Sequence, residues 1–205
     1  MYIKEIELYN FRNYREEKVS FSENVNIFLG SNAQGKTNML EGIYLNSIGK
    51  SFKNVRDKEL VRFGEEFCRV KTVFESSGEE RTTETVISKE GKKGIKADGI
   101  KVTKTSELLD RIFTVVFSPE DLKIVKEDPE KRRKFIDREL CQIRAGYLSD
   151  LNDYRRILKQ RNTYLKEERI NEGLLDVWDR QLAECGSRLV KKRKEFIEKT
   201  DKISG

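Results

Sequence analysis

Val25-Asn-Ile-Phe-Leu-Gly-Ser-Asn-Ala-Gln-Gly-Lys-Thr-Asn-Met-Leu-Glu-Gly-Ile-Tyr-Leu45 decides the fold. Its first five residues are densely apolar and stop at Gly30, the pattern of a central strand covered on both faces. From Lys36 to about Ile48, Met39, Leu40, Ile43, Tyr44 and Leu45 recur at helical spacing and predict a helix. Between the two, Gly30, Ser31, Asn32, Ala33, Gln34, Gly35, Lys36 and Thr37 fit the phosphate-binding loop pattern of glycine, four residues, then Gly-Lys-Thr. The glycines let the backbone curl so that successive N–H groups point at phosphate oxygens, and the helix N-terminus adds the positive end of its dipole. In such a loop Lys36 reaches the β and γ phosphates and the Thr37 hydroxyl holds Mg²⁺. A glycine-bearing turn that binds nothing would leave the Lys-Thr pair at the helix mouth unexplained.

Outward from the loop, Tyr2-Ile-Lys-Glu-Ile-Glu-Leu-Tyr9 places Ile6 and Leu8 on one face with charges between, the period of a half-buried strand. Residues 67–74 and 82–87 read as short β segments broken by Ser76-Ser77-Gly78, with further turns at Gly91, Gly94 and Gly99, so antiparallel hairpins are expected. Phe113-Thr-Val-Val-Phe117 predicts a short buried strand. It runs into Ser118-Pro119-Glu120-Asp121, which reads as a helix start, and Asp128-Pro129-Glu130 repeats that signal. Farther on, Tyr147, Leu151, Tyr154, Leu158, Arg161 and Leu165 recur at steps of three and four. After Asn171-Glu172-Gly173 the period resumes through Leu175, Trp178, Leu182, Cys185, Leu189 and Phe196. Two long helices folded into an antiparallel hairpin fit this, as do two amphipathic helices lying on a globular body. Trp178 and Tyr154 read as hairpin core in preference to a partner surface.

The 205 residues carry 42 Lys+Arg and 36 Asp+Glu, a net charge of +6, and no histidine. A His-dependent triad, a His-ligated metal and an imidazole proton shuttle are therefore excluded. Three widely spaced cysteines, Cys68, Cys141 and Cys185, show no zinc or dithiol spacing and suit buried thiols in a reducing compartment. No apolar run approaches the roughly 20 residues of a membrane span, and no signal peptide opens the chain, so a cytoplasmic protein without membrane contact is expected. Two basic runs stand out, Lys131-Arg132-Arg133-Lys134 and Lys191-Lys-Arg-Lys194. The second reads as a solvated helix face. The first, with Lys92, Lys93, Lys96, Lys101 and Lys104, is a candidate track for DNA phosphates.

Five blocks, Asn10-Phe-Arg-Asn-Tyr14, Gly30 to Glu41, Gly49-Lys-Ser-Phe52, Phe117-Ser-Pro-Glu-Asp-Leu122 and Arg132-Arg-Lys-Phe-Ile-Asp137, resemble in order the RecF family of bacterial recombination mediators, in the SMC-like branch of ABC-type ATPases. The resemblance implies an α/β fold: part of a P-loop ABC-type ATPase head, with a mixed sheet and antiparallel hairpins, and an α-helical hairpin as second lobe. Residues 1–118 would form the first lobe and 119–205 the second, with the hairpin at about 147–200. It implies ATP and Mg²⁺ as cofactors and brings Arg12 and Asn13 to the nucleotide, although a surface salt bridge explains Arg12 as well. Glu120 and Asp121 stand where relatives place a γ-phosphate-sensing glutamine, so helix capping is favoured there.

Neither a Ser-Gly-Gln-type signature nor an acidic strand follows Thr37; Glu184-Cys-Gly-Ser187 is the nearest segment and does not match. A chain without the C-terminal part of the head is expected to bind nucleotide poorly and hydrolyse almost none. At full length the resemblance implies a weak DNA-dependent ATPase of recombinational repair and replication restart. There ATP closes a homodimer on double-stranded or gapped DNA, and RecR and RecO act as partners in loading recombinase. A stand-alone P-loop kinase for a small molecule is the alternative.

Overall fold

The computed structural model describes residues 1–53, 55–104, 107–109, 111–118, 121, 129–167 and 171–204. It divides into two compact units, Met1–Val116 and Phe117–Gly205. Helix starts expected at Pro119-Glu120 and at Asp128 lie outside the described residues.

The first unit is a six-stranded sheet in the order β2-β1-β3-β4-β5-β6, antiparallel at every pairing. Its strands are β1 (Tyr2–Phe11), β2 (Tyr14–Ser20), β3 (Phe67–Ser76), β4 (Glu79–Ser88), β5 (Lys93–Ala97) and β6 (Ile100–Lys101). One helix, α1 (Lys36–Ile48), lies on the sheet. Ile6 and Leu8 of β1, Val70 of β3 and Ile87 of β4 meet Met39, Ile43 and Leu45 of α1 in one apolar cluster. Gly42 sets the approach: a Cβ there would stand 2.9 Å from Leu8 Cδ2, so only hydrogen lets the helix lie so close to the sheet. Asn46 is buried on the same face and donates to the Val70 and Thr83 carbonyls and to Thr72 Oγ1, tying α1 to β3 and β4.

Two expectations are corrected. Residues 25–29 and 113–117 form no ladder, and their alternate side chains face solvent: Val25, Ile27 and Leu29 on one run, Phe113, Val115 and Phe117 on the other. A strand exists only beside a hydrogen-bonded neighbour, and the sheet order gives these runs none. Of residues 25–29 only Phe28 is partly covered, packing edge-on against Phe21 at 6.0 Å, and in the second run Thr114 Oγ1 donates to Ser47 Oγ at 2.8 Å. The dense apolar content that predicted covered strands therefore did not fix what covers them. Strand β2 carried no apolar alternation to announce it, because Arg15, Glu16, Glu17 and Lys18 all lie exposed at the sheet edge.

The second unit is helical: α2 (Pro129–Ile143), α3 (Ala145–Tyr164) and α4 (Glu172–Ser204). Arg161 pairs with Asp179, whereas Asp150 pairs with Arg188 and Lys192, so α3 and α4 run antiparallel as the heptad-like spacing predicted. Leu140, Tyr147, Leu151 and Leu189 form the core, with Tyr154 and Phe196 packed against it. Trp178 meets Tyr164 edge-to-face at 5.0 Å near the hairpin turn. Among the described residues no helix is long and apolar enough to cross a membrane.

Candidate functional site

The backbone of residues 30–37 is bent by three left-handed residues, Gly30 (φ 149°), Ala33 (φ 66°) and Gly35 (φ 104°). Gly35 is the N-cap of α1 and supplies no side chain to its first turn. The N–H groups there are thus left for an external acceptor, which is the condition an anion site needs. Ser31, Asn32, Ala33, Gln34 and Thr37 are exposed. Lys36 curls over the loop and donates from Nζ to the carbonyls of Gly30 (2.5 Å) and Ser31 (2.7 Å). The ammonium is therefore held inside the curl, where a phosphate would replace two weak neutral acceptors with charged ones. A hydroxyl at Thr37 beside that curl fits a hard cation that prefers oxygen ligands.

Gly35 also fixes the loop against the turn between β1 and β2. A Cβ on it would lie 2.7 Å from the Tyr14 hydroxyl and 2.9 Å from Asn13 Nδ2. Gly35→Ala is expected to distort the loop for two reasons, left-handed strain of about 1–3 kcal/mol and the collision with Tyr14. ATP titration should read at least a tenfold loss of affinity, and adding Tyr14→Ala should restore only part of it, because the φ strain remains. Full restoration would show that the collision alone matters.

Arg12 and Asn13 sit on that same turn. Asn10 (φ 47°) and Arg12 (φ 54°) are both left-handed, which turns the chain end of β1 toward residues 57–62. Arg12 N–H donates to the Leu60 carbonyl and Arg62 N–H to the Asn10 carbonyl, both at 2.8 Å. The Arg12 guanidinium donates in a fork to Glu41, Nε to Oε2 at 3.0 Å and Nη2 to Oε1 at 2.7 Å, while Nη1 donates to the Glu59 carbonyl at 3.0 Å. Sequence reasoning offered Arg12 a nucleotide or a surface salt bridge; the partner it has is a buried carboxylate. Glu41 is fully buried and also accepts from Ser51 Oγ at 2.5 Å and Lys53 Nζ at 3.1 Å. Burial alone would raise its pKa, but the hydrogen bonds from Arg12, Ser51 and Lys53 outweigh it and hold the carboxyl below its usual value. Lys53 Nζ donates in turn to Asn38 Oδ1, and Asn38 Nδ2 to Asn13 Oδ1, each at 2.8 Å.

These groups wall a cleft of about 950 Å³ lined by Arg12, Asn13, Asn38, Lys53, Val61 and Phe63, among others. Phe63 is fully exposed there, next to Gly64. Cationic and amide groups share the cleft with this open aromatic and with Glu59, Glu65 and Glu66, a lining that suits a ligand part anion and part planar ring. Glu41, Ser51, Lys53 and Phe63 were missed as site residues. One signal was available for Glu41: apart from Lys36 it is the only charged residue in the thirteen of α1, in a chain where 38% of residues are charged.

The basic groups divide sharply. Lys131, Arg132, Arg133 and Lys134 are exposed on α2, with Lys134 paired to Glu130 at 2.8 Å. Lys192 and Arg193 of the second run turn inward to Asp150 and Asp137, so that run is not simply a solvated face. Lys93 is occupied by Asp57 and the Gly49 carbonyl, whereas Lys92, Lys96, Lys101 and Lys104 are exposed.

Comparison with known proteins gives the family and the fold. An AAA ATPase domain model matches residues 1–204. A curated relative, DNA replication and repair protein RecF of Agathobacter rectalis, is 45% identical over 206 aligned residues, which are 99% of this chain and 57% of the relative. The chain thus spans just over half the length of the curated relatives it matches. A solved structure of the recombination mediator protein RecF with ATP, in the RecFOR pathway, superimposes with a TM-score of 0.91 at 43% identity, covering 97% of this chain and 54% of that one. An Smc head bound to the C-winged helix domain of ScpA shares the fold at 22% identity and a TM-score of 0.56, over 73% of this chain and 53% of that one.

Proposed function

The chain belongs to the AAA ATPase domain family, with RecF as its near relative, and from that premise we propose that residues 30–37 bind the phosphates of ATP. The observation that carries the reading is the loop itself: an uncapped helix start, a backbone curled by Gly30, Ala33 and Gly35, and a lysine ammonium held within the curl. The backbone N–H groups hold phosphate oxygens, Lys36 neutralises their charge, and Thr37 is the side chain suited to Mg²⁺. That ion, when bound, screens the phosphate charge. Asn13 and Arg12 face the nucleotide from the turn packed on Gly35, with the cleft toward Phe63 taking the base. Calorimetric titration of ATP into the chain tests the site. Saturable heat sustains it, and none at millimolar ATP removes it.

In the full length its relatives have, the protein acts in recombinational repair and replication restart. ATP closes a homodimer on double-stranded or gapped DNA, hydrolysis is slow and DNA-dependent, and RecR and RecO are partners in loading recombinase. The exposed Lys131, Arg132 and Arg133 contact backbone phosphates. Such contacts give affinity without sequence readout, so reversing charge at Arg132 and Arg133 is expected to weaken binding equally across duplex sequences. The slope of log affinity against log salt should flatten by roughly 0.9 for each phosphate that the variant no longer neutralises. An unchanged slope would remove both residues from the track.

A further inference from the structure

We infer that Glu41 is a positioning residue that sets the two cations of the cleft, Arg12 and Lys53, for a phosphate-bearing ligand. This deepens the ATP reading of residues 30–37 and rests on it. Glu41 is a carboxylate with no exposed surface in the middle of α1, a costly placement unless it is paired and hydrogen-bonded. Its partners come from separate parts of the chain: Arg12 from the turn after β1, Ser51 and Lys53 from the segment after α1. A structural ion pair would need one cation. Here two surround one carboxylate, so the group carries 2 − 1 = +1.

That surplus is directed at the cleft. Both cations line it, with side chains 18% (Arg12) and 32% (Lys53) exposed while their carboxylate is hidden. Three of the five Arg12 N–H groups are engaged by Glu41 and the Glu59 carbonyl; among the described residues the other two are left for a ligand. Lys53 passes the constraint on through Asn38 to Asn13, the residue that packs on Gly35 of the loop. Glu41 therefore governs the guanidinium and the ammonium that line the cleft and, through Asn38, the amide beside Gly35, without touching the ligand itself. Fixed donors need no reorganisation when an anion arrives, which is where the gain in affinity lies.

The test is a double-mutant cycle read by ATP titration of the 205-residue chain, with circular dichroism confirming the fold of each variant. Glu41→Gln is expected to weaken ATP binding about tenfold, and to weaken it no further when Arg12→Gln and Lys53→Met are already present. If Glu41→Gln does not fold, Glu41→Asp, which keeps the charge but withdraws it by one methylene, carries the same expectation. Wild-type affinity in a folded Glu41 variant overturns the inference. So does an equal loss in both backgrounds, which would make Glu41 a structural group only. Lys36→Met separates the two readings. ATP binding lost in Lys36→Met but kept in Glu41→Gln overturns the role of Glu41 alone, whereas no ATP binding by the wild-type chain overturns the loop reading and this inference together.

Discussion

Lys36→Met is expected to lower ATP affinity about a hundredfold and to leave thermal stability unchanged. The two halves of that result have different physical sources. Among the described residues the Lys36 ammonium donates to the Gly30 and Ser31 carbonyls, both in the exposed loop. Water replaces it there at little cost, so the core formed by Met39, Ile43 and Leu45 against the sheet does not register the change. In the proposed ATP complex the same ammonium would meet charged oxygens. A hydrogen bond between charged groups contributes up to about 3 kcal/mol, and each 1.4 kcal/mol or so is tenfold in affinity. Calorimetric titration at fixed ionic strength, paired with a thermal melt, reads both halves. A melt shifted by many degrees would mean that Lys36 holds the loop together, and unchanged affinity would mean that the phosphates lie elsewhere.

Much of this site was legible before any coordinates. The glycines, Lys36 and Thr37 are a local pattern, and the start of α1 completes the loop although residues 25–29 before it pair with no strand. What surrounds the loop is not local. Glu41 pairs with Arg12 across 29 residues, and Lys53 reaches both Glu41 and Asn38 from beyond the helix. No spacing rule links those positions, because the link is made by the antiparallel return of β1 against residues 57–62. Residues 25–29 and 113–117 show the converse failure. A dense apolar run reads as a covered strand, but whether its faces are covered depends on what packs there, and that is written elsewhere in the chain. The helical hairpin was predictable to within a few residues at its start, since period and turn are both local. The inward turn of Lys192 and Arg193 was not, because their partners Asp150 and Asp137 lie 42 and 56 residues away.

The largest effect expected on stability is at Asp137. It is buried in the helical unit, where it accepts from Arg193 in a fork, Nε at 2.8 Å and Nη2 at 2.9 Å, and from the Tyr147 hydroxyl at 2.5 Å. Tyr147 has no exposed surface and also takes Arg193 Nε at 3.1 Å, so three side chains from three helices close one polar knot within the apolar cluster of Leu140, Leu151 and Leu189. Asp137→Ala leaves a half-buried guanidinium and a buried hydroxyl without their acceptor. Breaking a buried pair on one side costs about 3–5 kcal/mol, a large share of the roughly 5–15 kcal/mol that holds a domain folded. The helices should therefore melt far earlier, with the loss followed by helical circular dichroism. The knot also predicts an alkaline limit. Burial first, then the hydrogen bond to Asp137 and its negative charge, raise the Tyr147 pKa above its usual 10.0, against the opposing Arg193. A group whose folded pKa is raised lends stability that is complete below its unfolded value, so the unit should hold to about pH 10 and weaken above it. Tyr147→Phe, which removes the ionising proton and keeps the ring, should flatten melting temperature against pH over that range. An alkaline loss as steep in the phenylalanine variant as in the wild type would place its origin outside the knot, while Asp137→Ala would still melt early.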